Sequence, residues 1–301
     1  MNYKYLLKNL ILRPMNCWGE FSSDIKKDFF LRKNNSKSNL VWICGLPKSG
    51  TTLIEQILDN LLYIRIDRSF LRKFPKKDNI SPTNIDDYIY SFPKKKYSYV
   101  KTHLKYDQNI LKKFINERFK VIVVLRDIRD VMISRYFHVM SDNKNWQHDV
   151  IKTLPFEEGF IKSLHTITEK YNKKRSEATG FQKNPLVSYY YWIKNWKQIK
   201  ESENLKKVWY EDYIKNPHKF IKEILDFTEF NHFDEKEIEK KLNFIRQRDK
   251  KIPLIKQLNR PGQNVSTFRS GKAGEWKSLF NERIEKEFNN LLPDKIEDIL
   301  N

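Results

Sequence analysis

Apolar and polar positions along the chain alternate between two periods. The unbroken apolar run Val41-Trp42-Ile43-Cys44 predicts a strand buried on both faces, and Gly45-Leu46-Pro47-Lys48-Ser49-Gly50 turns the chain after it. Leu53, Ile54, Ile57, Leu58 and Leu61 then recur at helical spacing and predict a helix over 51–62. Two further strands are predicted, at 97–100 and at 120–125, the second being the strongest β-branched run in the protein. Trp192 and Trp196 lie four apart in a predicted helix over 189–199, followed by a strand over 206–210. Helices at about 217–228, at about 234–246 and from about 281 complete the pattern.

Strands alternating with helices predict an α/β protein with a central parallel sheet flanked by helices. The length of 301 residues suits one domain spanning 1–301, with a core over 39–301 and residues 1–38 as an N-terminal extension. Residues 141–184 are polar and weakly periodic, and the stretch 139–185 reads as a lid or insertion on the surface rather than as core. Open parallel sheets bind ligands beyond the carboxyl ends of their strands. Strands leading into Lys48, His103 and Arg126 therefore aim those three side chains at one crevice.

Charge narrows the partner without choosing it. Against 38 acidic residues stand 58 Lys and Arg, a formal net charge of +20, which suits a nucleotide, a nucleic acid, an acidic glycan or an anionic membrane. The excess is mostly lysine in a chain crowded with Asn and Ile, so a biased coding composition accounts for part of it. Two cysteines, Cys17 and Cys44, exclude a disulfide framework. The apolar stretch 5–12 is short and broken by Lys8, which predicts neither a signal peptide nor a membrane span and makes a cytoplasmic protein the expectation. His138, His148, His165, His218 and His232 show no metal-ligand spacing, and no metal is expected.

A loop that opens a helix directly after a buried strand is an anion site, because uncapped N–H groups and the helix dipole point at the ligand. Gly50 allows close approach here, and Thr51 and Thr52 add hydroxyl donors. Gly45 and Gly50 have the spacing of a nucleotide P-loop, but position 51 is Thr where that loop has Lys, and Arg126 precedes Asp127 where a magnesium-binding aspartate is sought. A P-loop kinase using ATP is thus disfavoured. A basic nucleic-acid-binding protein is the other competitor, and no recognised nucleic-acid motif accompanies the charge.

Pro47-Lys48-Ser49-Gly50-Thr51-Thr52 resembles the 5′-phosphosulfate loop of the sulfotransferases that use 3′-phosphoadenosine 5′-phosphosulfate (PAPS). Lys101-Thr102-His103-Leu104 resembles the K-T-H-L segment of the cytosolic members, and Arg126 through Ser134 their 3′-phosphate segment. Val208-Trp209-Tyr210-Glu211-Asp212 is similar to their Y-E-D segment, and Phe268 through Lys277 to their late R-K-G-x-x-G-D-W-K loop, with Ser270 and Glu275 replacing Lys and Asp. Leu53 stands where many members have a tryptophan, Lys105 replaces a proline, and the dimer motif expected after Lys277 is not recognisable.

The resemblance implies PAPS as co-substrate, 3′,5′-adenosine bisphosphate (PAP) as product, and a small-molecule, glycan or lipid acceptor with a hydroxyl or amine. It implies His103 as general base, Lys48 at the leaving phosphate oxygen, Lys101 on the sulfuryl oxygens, and Ser134 gating Lys48 while touching the 3′-phosphate. Lys48, Ser49, Gly50, Thr51, Thr52 and Leu53 would form the 5′ end of the donor site. Arg126, Ser134, Arg269, Ser270 and Gly271 would hold the 3′-phosphate, with Tyr210 and Phe244 at the adenine. The cluster Tyr189-Tyr190-Tyr191-Trp192 is open between an acceptor wall and core packing.

Overall fold

The computed structural model describes residues 39–61, 64–65, 97–143, 145, 147–165, 184–230, 234–251 and 271–300. Among the described residues five strands, β1 (Asn39–Gly45), β2 (Ile64–Arg65), β3 (Tyr97–Thr102), β4 (Phe119–Leu125) and β5 (Leu205–Trp209), form one sheet in the order β2-β3-β1-β4-β5. Every neighbouring pair is parallel. The predicted α/β class with a central parallel sheet is the observed one, and only the two-residue β2 lacked a sequence signal.

Register explains why the strand ends converge. Cys44 on β1 pairs with Thr102 on β3 and with Val123 on β4. The residues that follow, Leu46 onward, His103 and Arg126, therefore leave the sheet at nearly the same level. Gly45 pairs with Val124, one residue short of the end of β4.

Helices cover both faces. On β1 the alternate residues Leu40, Trp42 and Cys44 join the larger apolar core, with Phe114 of α2 (Gln108–Asn116), Val131 of α3 (Ile128–Ser141) and Trp196 of α5 (Pro185–Lys197). Trp42 is fully buried, its ring stacked on Phe114 at 4.0 Å between centroids. The opposite face is covered by α1 (Thr51–Asn60), which packs against β3 and against α8 (Glu235–Lys251). Next to β5 the chain continues into α6 (Tyr210–Lys215) and α7 (Pro217–Phe227). Asp107 and Asn184 accept first-turn N–H groups and so start α2 and α5 where they do.

One expectation is corrected here. Within the stretch read as surface, α4 (Phe156–His165) buries Phe160 and Leu164 in the main core, where it packs against α9 (Glu282–Leu291). Phe156, Phe160 and Leu164 form a stripe at four-residue spacing, narrow enough to be hidden among Glu157, Glu158 and Lys162. In the aromatic cluster, Tyr189, Tyr190 and Trp192 are buried in the core and Tyr191 is exposed, so core packing holds for three of the four.

Candidate active site

The loop between β1 and α1 folds back on the strand end because Gly45 leaves it room. A Cβ there would lie 2.5 Å from Thr51 Cγ2, 2.8 Å from Ser49 Oγ and 3.1 Å from Val124 Cβ. Lys48 (φ 76°) and Gly50 (φ 104°) are both left-handed, a setting in which successive backbone N–H groups turn into one concavity. Gly50 caps α1 with no side-chain bond, and while the Leu53 N–H donates to the Gly50 carbonyl at 2.9 Å, the Thr51 and Thr52 amides lie at the positive end of the helix dipole, where an anion would be held. Ser49 is fully buried, and its Oγ has no hydrogen-bond partner among the described residues. A buried hydroxyl without a partner is costly, and a bound anion would satisfy it. Thr51 is buried, Thr52 half-buried, and Leu53 turns into the apolar interior.

Arg126, at the end of β4, ties this loop to two other segments. Its Nη1 donates to the Lys48 carbonyl at 3.0 Å and its Nη2 to the Lys272 carbonyl at 2.9 Å. The guanidinium lies 4.5 Å from the centre of the Tyr210 ring, and the same ring packs so closely on Gly50 that a Cβ there would sit 2.6 Å from Tyr210 Cδ2. Arg126 is buried, with Nε unpartnered among the described residues. Gly271 (φ 67°) precedes Lys272 directly and lets the late loop turn towards it.

Asp130, one turn into α3, accepts from the backbone N–H groups of Gly274 (2.5 Å) and Trp276 (3.1 Å). Burial pushes its carboxyl pKa up, while the Gly274 amide and Arg126 pull it back. Arg129 pairs with Asp127 at 2.6 Å and stacks on Trp276 at 3.5 Å. The start of α3 thereby holds the 271–276 loop against the end of β4. Ser134, one turn on, is buried. His138 follows one turn later, with a buried Nδ1 unpartnered among the described residues. Burial first, then the nearby Lys48 charge, lower its pKa from 6.5 to about 4 against the opposing pull of Asp142, so it is neutral at physiological pH.

At the end of β3 the chain is held at several points. Trp42 Nε1 donates to Thr102 Oγ1 at 2.7 Å. The Leu104 carbonyl accepts from Trp192 Nε1 (2.7 Å), Trp196 Nε1 (3.2 Å) and Cys44 Sγ (3.3 Å). Between these anchors His103 Nδ1 lies 2.5 Å from the Gly45 carbonyl oxygen. Lys101 Nζ is 2.5 Å from Glu55 Oε2 of α1, a pair 21% and 6% exposed.

The residues expected at the 5′ end of the donor, together with Arg126 and Tyr210, thus share direct contacts, and the Gly45 carbonyl brings His103 to the same loop. Phe244 lies on α8, but its side chain is outside the described residues, as are Arg269 and Ser270. Sequence reasoning missed Glu55, Asp130 and the nearness of His138 to Lys48. For Glu55 a signal existed, since a carboxylate beside Leu53, Ile54, Ile57 and Leu58 needs a buried partner. Among the described residues no cluster of His, Cys, Asp or Glu is placed to hold a metal, and no helix is long and apolar enough to cross a membrane.

Comparison with known proteins bears on this arrangement. A family model described as a sulfotransferase domain matches residues 38–299. Flavonol 4′-sulfotransferase of Flaveria chlorifolia is 27% identical over 278 residues, covering 85% of this chain and 78% of its own. Sulfotransferase 1B1 of Canis lupus familiaris is 26% identical over 269 residues, covering 84% and 82%. Among solved structures, a mouse sulfotransferase complexed with PAP superposes with a TM-score of 0.54 at 17% identity, over 87% of this chain and 85% of that one.

Proposed function

This chain belongs to the sulfotransferase-domain family, and we propose that it transfers a sulfuryl group from PAPS to a small hydroxyl- or amine-bearing acceptor with His103 as the general base. The observation that carries the reading is the Arg126 guanidinium bonded to the Lys48 carbonyl, beside an uncapped helix start and a buried Ser49 hydroxyl with no partner among the described residues. A nucleotide with phosphate at both ends needs two such anion sites side by side. The solved mouse relative, complexed with PAP, has the same fold and supports the choice of nucleotide.

Sulfuryl transfer breaks the bond from sulfur to the donor's phosphate oxygen and forms one from sulfur to the acceptor oxygen or nitrogen. His103 takes the acceptor proton. Its Nδ1 faces a carbonyl that can only accept, so Nδ1 bears the hydrogen and Nε2 is the basic nitrogen. Lys48 offsets the charge that develops on the leaving phosphate oxygen, assisted by the Thr51 and Thr52 amides at the start of α1. Lys101 contacts the sulfuryl oxygens, and Ser134 with Arg126 holds the 3′-phosphate, joined by Arg269, Ser270 and Gly271 of the late loop. The acceptor class rests on relatives whose names include a flavonol sulfotransferase and on a retinol dehydratase solved with retinol and PAP, TM-score 0.51 at 19% identity.

Labelled PAPS and ATP, each offered with and without EDTA against phenol, alcohol and sugar acceptors, test the reading. Mass-shifted product from PAPS alone, undiminished by chelation, is expected. Transfer from ATP that chelation abolishes, or no calorimetric affinity for PAP, would overturn it.

A further inference from the structure

Helix α1 and strand β3 meet as a ladder. Tyr99 and Lys101 of β3 share one face, with His103 just past the strand's end continuing the alternation, and Thr51, Glu55 and Asp59 share one face of α1. Four helical residues rise about 6 Å and two strand residues about 6.6 Å, so the two series stay in step. Tyr99 Oη donates to Asp59 Oδ1 at 2.9 Å, and Lys101 Nζ pairs with Glu55 Oε2 at 2.5 Å. The next level holds Thr51 and His103, and Gly45 joins them, packing under the Thr51 methyl while its carbonyl faces His103 Nδ1.

We infer that Glu55 is a positioning residue for the transfer, holding the Lys101 ammonium at the level where the sulfuryl group is bound. A lysine carries its charge on a flexible four-carbon stem, with about 2 kcal/mol of rotamer entropy to lose. The side chain must be fixed before it can discriminate one bound group from another. Glu55 fixes it from a buried position on α1, one turn from Thr51 and one from Asp59. An apolar residue of similar volume at position 55 would serve stability at least as well, because a buried ion pair is commonly no better than a hydrophobic replacement. The carboxylate also balances the Lys101 charge inside a strongly basic chain.

This inference rests on the assignment of Lys101 to the sulfuryl group, and one set of titrations separates the two. PAPS and PAP are titrated calorimetrically into the full chain carrying Lys101→Ala, Glu55→Gln, both together, or Tyr99→Phe. Lys101→Ala should lower the affinity for PAPS relative to PAP about tenfold, the scale of one charge-assisted hydrogen bond. Glu55→Gln should do the same, and the double variant no more. Tyr99→Phe removes the neighbouring rung, and should lower the melting temperature while leaving the ratio intact. If Glu55→Gln does not fold, Glu55→Met fills the same buried volume without a charge and must give the lowered ratio. A wild-type ratio in the Glu55 variants beside a lowered one in Lys101→Ala, or additive losses in the double variant, overturns the positioning role. A wild-type ratio in Lys101→Ala itself removes Lys101 from the sulfuryl group.

Discussion

His103 owes its protonation pattern to one backbone carbonyl. The Gly45 oxygen fixes the hydrogen on Nδ1, and the two tryptophans bonded to the Leu104 carbonyl keep the ring from swinging away. His103→Ala should lower turnover of labelled PAPS by ~100- to 10,000-fold, the usual worth of a general base, while PAP affinity measured by calorimetry changes less than about twofold. Full turnover at saturating PAPS would remove the imidazole from the chemistry. The convergence of Lys48, His103 and Arg126 was legible in the sequence because each follows a predicted strand, whereas Tyr210 was reached only through the family resemblance. The partners of Arg126 were not legible, since two of them are carbonyls, and a carbonyl belongs to a conformation rather than to a residue type.

At the scale of elements, the turn from β1 into α1 is the least replaceable piece. Gly50 combines a φ of 104° with a ring contact that leaves no room for a side chain. Gly50→Ala meets both penalties at once, the left-handed backbone alone costing roughly 1–2 kcal/mol. PAP affinity should fall at least about tenfold with a lowered melting temperature, and titration with PAP reads it directly; an unchanged affinity would show that the turn is not the phosphate site. The strand, loop and helix of this turn were readable from periodicity alone. Helix α4 was not, because its buried stripe is only three residues wide and its other faces are charged. Strand β2, two residues long, carries too little pattern to be read.

For the whole molecule, the parallel sheet and its strand ends follow from pattern, but the balance of charge against pH emerges only when distant residues meet. With a net charge of +20 the protein becomes more positive still as acid is added. Inside it, His138 faces the cations Lys48 and Arg135 and the carboxylate Asp142, with its pKa lowered from 6.5 to about 4. Between those values the unfolded chain binds a proton at this histidine and the folded chain does not. Stability that is complete above pH 6.5 is therefore lost as the pH falls towards 4, by up to about 1.4 kcal/mol per pH unit. Asp130 and Glu211, whose pKa values burial raises, act in the opposite sense, because the folded chain takes up their protons first. The total curve mixes these contributions, whereas the difference between wild type and His138→Phe isolates one. Urea midpoints measured from pH 8 to pH 4 should run parallel above 6.5 and then converge or cross, the wild type falling the more steeply. Parallel curves throughout would mean that His138 titrates as it does in the unfolded chain, and that Lys48 and burial leave it unperturbed.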